Sequence, residues 1–155
     1  MSTRSNIAII EANGQVKSIY CHWDGYPENN GKLLLEHYNT EEKVKALIAL
    51  GGLSSLRERL APKKGEEHSY KKSVKDVTVA YHRDRAEPLE ITNFKSLKDF
   101  ENKIDYIDAA YVYVWHKGAW SYSYVEIVKD KKDKSKAKIH LQPLTHEVCE
   151  NEKST

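Results

Sequence analysis

Cysteine is scarce in this chain: Cys21 and Cys149 are the two present among 155 residues, far apart and without C-x-x-C spacing. That excludes a disulfide framework and a zinc knuckle. Cys21 falls inside a predicted strand and reads as a small buried hydrophobe. No apolar run approaches the ~20 residues a membrane-spanning helix needs. The apolar stretch within Met1–Ile10 is too short for a secretory signal, so the expected setting is the cytoplasm. Neither G-x-x-x-x-G-K-[ST] nor G-x-G-x-x-G occurs, which removes two common nucleotide-binding loops. Ser54 and Ser55 lack a G-x-S-x-G setting, so a serine nucleophile has no support. Net charge is also small. A formal +2 argues against an acidic DNA mimic and against a strongly basic domain that grips duplex through phosphates alone.

What the chain has is a concentration of rings. Between Tyr111 and Tyr124 it reads Y-V-Y-V-W-H-K-G-A-W-S-Y-S-Y, two alternating runs joined at Lys117-Gly118. The pattern predicts a β-hairpin with a two-residue turn, because Gly tolerates the positive φ such turns need. The register follows: Trp115 faces Trp120, Tyr113 faces Tyr122, and Tyr111 faces Tyr124. Six aromatics therefore share one face. The opposite face carries Ala110, Val112, Val114 and Val125 diluted by Ser121 and Ser123. The ringed face buries far more area, so it is expected to form the core. The other use of such a ladder is base stacking, with Trp115 and Trp120 near the turn as the candidate exposed aromatic surface.

The remaining chain predicts ββ-α-α-β-α-ββ with one further strand. Asn13-Gly14 marks a first hairpin within Asn6–Trp23, pairing Ile9 with Ser18 and Ile7 with Tyr20. A short helix carries Leu33, Leu34, Leu35 and Tyr38. Asn39 is the expected N-cap of a second helix with Glu42 in capping-box position. Its apolar stripe is Val44, Leu47 and Ile48, and Gly51-Gly52 ends it. Residues 62–73 are polar and aperiodic, a surface loop. Val77–His82 reads as a strand, and Ser96 with Asp99 opens another helix bearing Leu97, Phe100 and Ile104. Six lysines and two aspartates over Lys129–Lys138 read as a solvated loop. Ile139–Leu144 is a possible last strand. The expected architecture is one α+β domain over residues 1–144: an antiparallel sheet built from hairpins, with two or three helices on one face. Residues 145–155 are expected to fray.

Two strand ends could carry chemistry, Tyr20-Cys21-His22-Trp23-Asp24 and Ala80-Tyr81-His82-Arg83-Asp84. An extended backbone points residues two apart in one direction. His22, Asp24, His82 and Asp84, if brought together, could act as general acid and base or hold a divalent metal. The plainer reading is a surface His beside a turn Asp, and no metal or cofactor is expected. Arg83-Asp84-Arg85 with Glu87 could grip phosphate or carboxylate through guanidinium forks, or pair locally.

Taken together, Ser2–Ile7, His22–Glu28, Leu34–Tyr38, Leu53–Leu56 and Arg83–Arg85 resemble a family of small proteins of tailed bacteriophages and prophage regions. The resemblance covers about the first 125 residues. Ala86 departs from it, since Gly usually follows the Arg-Asp-Arg block there. The resemblance implies a phage accessory protein in the host bacterial cytoplasm, acting in host takeover or counter-defence, and no particular reaction. The leading expectation is a non-enzymatic protein binding a host protein or a nucleotide-like anion through His22, Trp23, Asp24, Tyr26, Arg83 and Arg85. The alternatives are a small hydrolase or nuclease using His22, Asp24, His82 and Asp84, and a single-stranded nucleic-acid binder using the aromatic hairpin.

Overall fold

A computed structural model describes residues 2–104, 109–129, 131–132 and 135–151. The strands are β1 (Ser5–Ile10), β2 (Val16–Cys21), β3 (Leu53–Ser55), β4 (Val79–Ala80), β5 (Thr92–Phe94), β6 (Tyr111–His116), β7 (Ala119–Tyr124), β8 (Glu126–Lys129), β9 (Ser135–Lys138) and β10 (Gln142–Pro143). The helices are α1 (Lys32–His37), entered through a π-helical turn over Pro27–Gly31, α2 (Glu41–Ala49), α3 (Tyr81–Arg85), α4 (Leu97–Asn102) and α5 (His146–Asn151). The main sheet runs β10-β7-β6-β1-β2-β3-β4, with β5 against the start of β2, and β8 and β9 form a separate two-stranded ribbon. An α+β protein results.

The sheet is mixed, not antiparallel throughout. β1 pairs in parallel with β6, and β2 in parallel with β3. Hairpins alone could not supply this, because parallel neighbours must come from segments distant in sequence. The expectation of helices on one face is also corrected, since both faces are covered. On one side Ile7, Ile9, Ile19, Tyr113, Trp115, Trp120 and Tyr122 meet Leu34, Val44, Leu47, Ile48 and Cys149 from α1, α2 and α5. On the other, Ala8, Val16, Val112 and Val114 meet Phe94, Phe100, Ile104 and Ala137. The valine face, passed over for its serines, builds a second core.

The aromatic hairpin has the expected register, Trp115 with Trp120, Tyr113 with Tyr122 and Tyr111 with Tyr124. Its rings are core. Trp115 is 2% exposed and Trp120 4%, so neither is a stacking surface. Each buried polar edge finds a partner: Trp120 Nε1 donates to Tyr38 O at 2.8 Å, Trp115 Nε1 to Glu41 Oε1 at 3.2 Å, and Tyr113 OH to Gly25 O at 2.6 Å.

Other expectations shift. The first hairpin pairs Ile9 with Lys17 and Ile7 with Ile19. Glu11 N–H donates to Gln15 O, and Gly14 holds φ +87°. The loop is thus a three-residue one rather than the two-residue turn assumed. Thr40, not Asn39, caps α2, its hydroxyl accepting from Lys43 N–H. The strand over Val77–His82 shortens to Val79–Ala80 because Tyr81–Arg85 coils into α3. The lysine loop begins on the last residue of β8 and ends in β9, and the expected frayed tail supplies α5 with Cys149 buried. Lys134 and residues 152–155 lie outside the described residues.

Candidate functional site

The site grows from the end of β2. Pairing with β3 continues past Cys21, His22 N–H donating to Leu53 O and Trp23 N–H to Ser54 O, both at 3.0 Å. Alternation along the strand turns Tyr20 and His22 away from the face that carries Ile19 and Cys21. Tyr20 OH and His22 Nδ1 lie 2.6 Å apart. At Asp24 the backbone enters the left-handed region, φ +54°, and the strand stops. Trp23 is left 43% exposed with its ring edge-on to His22, centroids 4.7 Å apart. Tyr26 OH donates to Asp24 Oδ1 at 3.2 Å, and Asp24 O accepts from Asn29 Nδ2 and from Asn30 N–H. Asp24 is a turn-forming residue with an exposed carboxylate.

On the far side of β3, Ala80 pairs with Leu53 and Tyr81 N–H donates to Gly52 O. The chain then turns helical, so His82 and Asp84 do not point together. His82 is exposed and its Nδ1 lies 2.7 Å from Glu87 O. Asp84 turns inward, its side chain 4% exposed. The Arg83 fork reaches its two oxygens at 2.9 and 3.0 Å, and Ala80 N–H donates to Oδ2 at 2.8 Å. His68, whose side chain is 1% exposed, lies at 3.2 Å from the same oxygen. Val74 N–H donates to His68 Nδ1, so the ring proton sits on Nε2 and is given to Asp84. Burial works to raise the Asp84 pKa, but the Arg83 hydrogen bonds, the Ala80 amide and the charge of Arg83 hold it below the ordinary 3.8. Arg83 also donates to Leu60 O at 2.7 Å and to Thr78 O at 2.6 Å. Arg83, His68 and Asp84 therefore fasten the 62–73 loop to the sheet.

Four candidate catalytic residues thus take their hydrogen bonds elsewhere, none from another of the four. Among the described residues no three His, Cys, Asp or Glu side chains gather as a metal would require. Burial pushes the Cys21 and Cys149 thiols up to about 11, leaving both protonated at neutral pH.

The two sequence clusters are joined by residues that had not been singled out. Tyr20 and Tyr81 stand at the same level across Gly52, and with Glu87, Pro88 and Glu90 they line a cleft of about 250 Å³. The Tyr81 ring lies 6.1 Å from Tyr70, and the Arg85 guanidinium sits 4.4 Å over the Tyr70 ring, a cation–π contact. A band of rings runs from Trp23 through His22, Tyr20 and Tyr81 to Tyr70, ending in exposed Arg85. Tyr70 was legible only as a lone ring in a charged loop. His68 carried no signal, because its role depends on a partner sixteen residues away.

Fold and site define an α+β protein with a mixed sheet whose β2–β3–β4 end presents this aromatic and cationic band. Comparison with protein-family models, curated proteins and solved structures finds no match to the chain.

Proposed function

We propose that this is a non-enzymatic binding protein, an accessory protein of a tailed phage or prophage that engages a host bacterial protein in the cytoplasm. The observation that carries the reading is the band from Trp23 to Arg85. Trp, Tyr and Arg are the side chains that dominate binding energy at protein interfaces. Here they stand at the end of β2, on α3 and on the 62–73 loop, the last two joined through the buried Asp84 hub, which lowers the ordering cost of association.

A nucleotide-like anion is the weaker candidate ligand. Arg83 is occupied by Asp84 and two backbone carbonyls, and Arg85 lies 3.6 Å from the Glu87 carboxylate. That leaves no free pair of forks for a phosphate. A hydrolase or nuclease finds no support in the hydrogen bonding of His22, Asp24, His82 and Asp84.

The test is affinity capture from host cytoplasm, with the wild type compared with a Trp23→Ala/Arg85→Ala variant. A defined host protein is expected with the wild type, with each truncation weakening its binding roughly 30-fold, the scale of an interface hot spot. An unchanged melting temperature in the variant separates lost recognition from lost folding. A partner retained at full affinity by the double variant would reject the band as the binding surface.

A further inference from the structure

The chain's small net charge conceals an uneven distribution. Residues 126–138 hold six lysines against Glu126, Asp130 and Asp133, a formal +3, while the whole chain is +2. Folding arranges most of this segment as the β8–β9 ribbon. The register pairs Glu126 with Lys138, Ile127 with Ala137, Val128 with Lys136 and Lys129 with Ser135. Ala137 is buried against Phe100, Val112 and Val114 in the second core. Alternation then directs Lys136 and Lys138 away from that core, on the ribbon's outer face. Both are exposed, as is Lys131 beside the ribbon's end. Among the described residues, no carboxylate lies within ion-pair distance of Lys131, Lys136 or Lys138.

Like charges gathered on one surface repel one another and gain when a polyanion replaces their counterions. The shape narrows the choice of polyanion. A two-stranded ribbon fits the major groove of B-form DNA, whereas the major groove of A-form RNA is too narrow to admit it. Lysine contributes point charges without the planar fork that reads guanine, and among the described residues the outer face carries Val128 and Glu126 opposite Lys136 and Lys138. We infer that the β8–β9 ribbon is a duplex-DNA contact, docking through Lys131, Lys136 and Lys138 on phosphates with little sequence preference. This surface is separate from the aromatic band and does not depend on the partner proposed there.

Fluorescence anisotropy of the full chain with a labelled 20-bp duplex of arbitrary sequence tests the inference. Three phosphate contacts predict a log–log salt slope of about −2.7, or an affinity loss of roughly 40-fold between 50 and 200 mM salt. A Lys131→Ala/Lys136→Ala/Lys138→Ala variant keeps its circular dichroism, because these side chains are exposed, and its slope falls close to zero. A Trp23→Ala/Arg85→Ala variant binds DNA as the wild type does. The inference is overturned if the wild type fails to bind duplex at 50 mM salt, or if the triple variant binds equally well. Equal or tighter binding to polyglutamate would replace DNA with an acidic protein partner. Equal binding to duplex RNA would remove the groove argument.

Discussion

Ala86 closes α3 at φ +56° and ψ +32°, in the left-handed region. A Cβ there crowds the neighbouring carbonyl and costs roughly 1–2 kcal/mol, a cost Gly does not carry. Ala86→Gly is therefore expected to raise stability by about 1 kcal/mol, read as an increased urea midpoint with unchanged slope. Gly is the residue this backbone favours at position 86. Lys117 is a parallel case, since its φ of +50° beside Gly118 at +82° makes a type I′ turn that prefers Asn. Asp84 is the opposite kind of residue, one the fold depends on. Asp84→Ala would leave Arg83, His68 and the Ala80 amide without their acceptor, and a loss of about 3–5 kcal/mol is expected. Because the folded pKa of Asp84 lies below the ordinary 3.8, its contribution is complete above the unfolded value. It is lost as pH falls through the folded value. Urea unfolding of wild type and Asp84→Asn should differ at pH 6 and converge in strong acid.

At the level of elements, local chemistry was legible where it acts over one turn or one hairpin. Ser96 accepts from Asp99 N–H at 3.1 Å, as the S-x-x-D pattern foretells. Lys117-Gly118 sets the β6–β7 register unaided. Asn13-Gly14 does not, because Gln15 N–H bonds the Asn13 side chain and a third residue joins the loop. That single added residue moves Ile7 from opposite Tyr20 to opposite Ile19, and with it the whole face. The 62–73 loop was polar and aperiodic in sequence, yet Arg59 clamps Glu66 bidentately at 2.7 and 3.2 Å. The Arg59 hydrogen bonds, followed by the Lys63 amide, bring the Glu66 carboxyl down to about 2. Carbon-detected NMR titration should find that value, and Arg59→Gln should return Glu66 toward 4.5, the ordinary one. Gly25 is a further constraint, because an added Cβ would stand 2.7 Å from Ser5 Cβ and 2.9 Å from Thr3 O. Gly25→Ala should cost about 1–3 kcal/mol through overpacking, measured by calorimetry.

For the whole molecule, the α+β class and the aromatic core were readable because burial follows ring area and strand period. The sheet order was not, since nothing local tells β1 that its other neighbour lies beyond residue 110. The candidate site divided along the same line. Trp23 and Arg85 were visible as exposed residue types, while the link through Tyr20, Tyr81 and Tyr70 depends on β3 lying between two strands. The parallel pairing of Ser5–Ile10 with Tyr111–Trp115 has a consequence for synthesis. A chain still on the ribosome holds β1 with one flank joined to β2 and the other bare until the aromatic hairpin emerges. A bare flank rich in isoleucine is a template for another chain. A fragment ending at Ile104 should therefore sediment as aggregate under conditions where the intact polypeptide stays monodisperse.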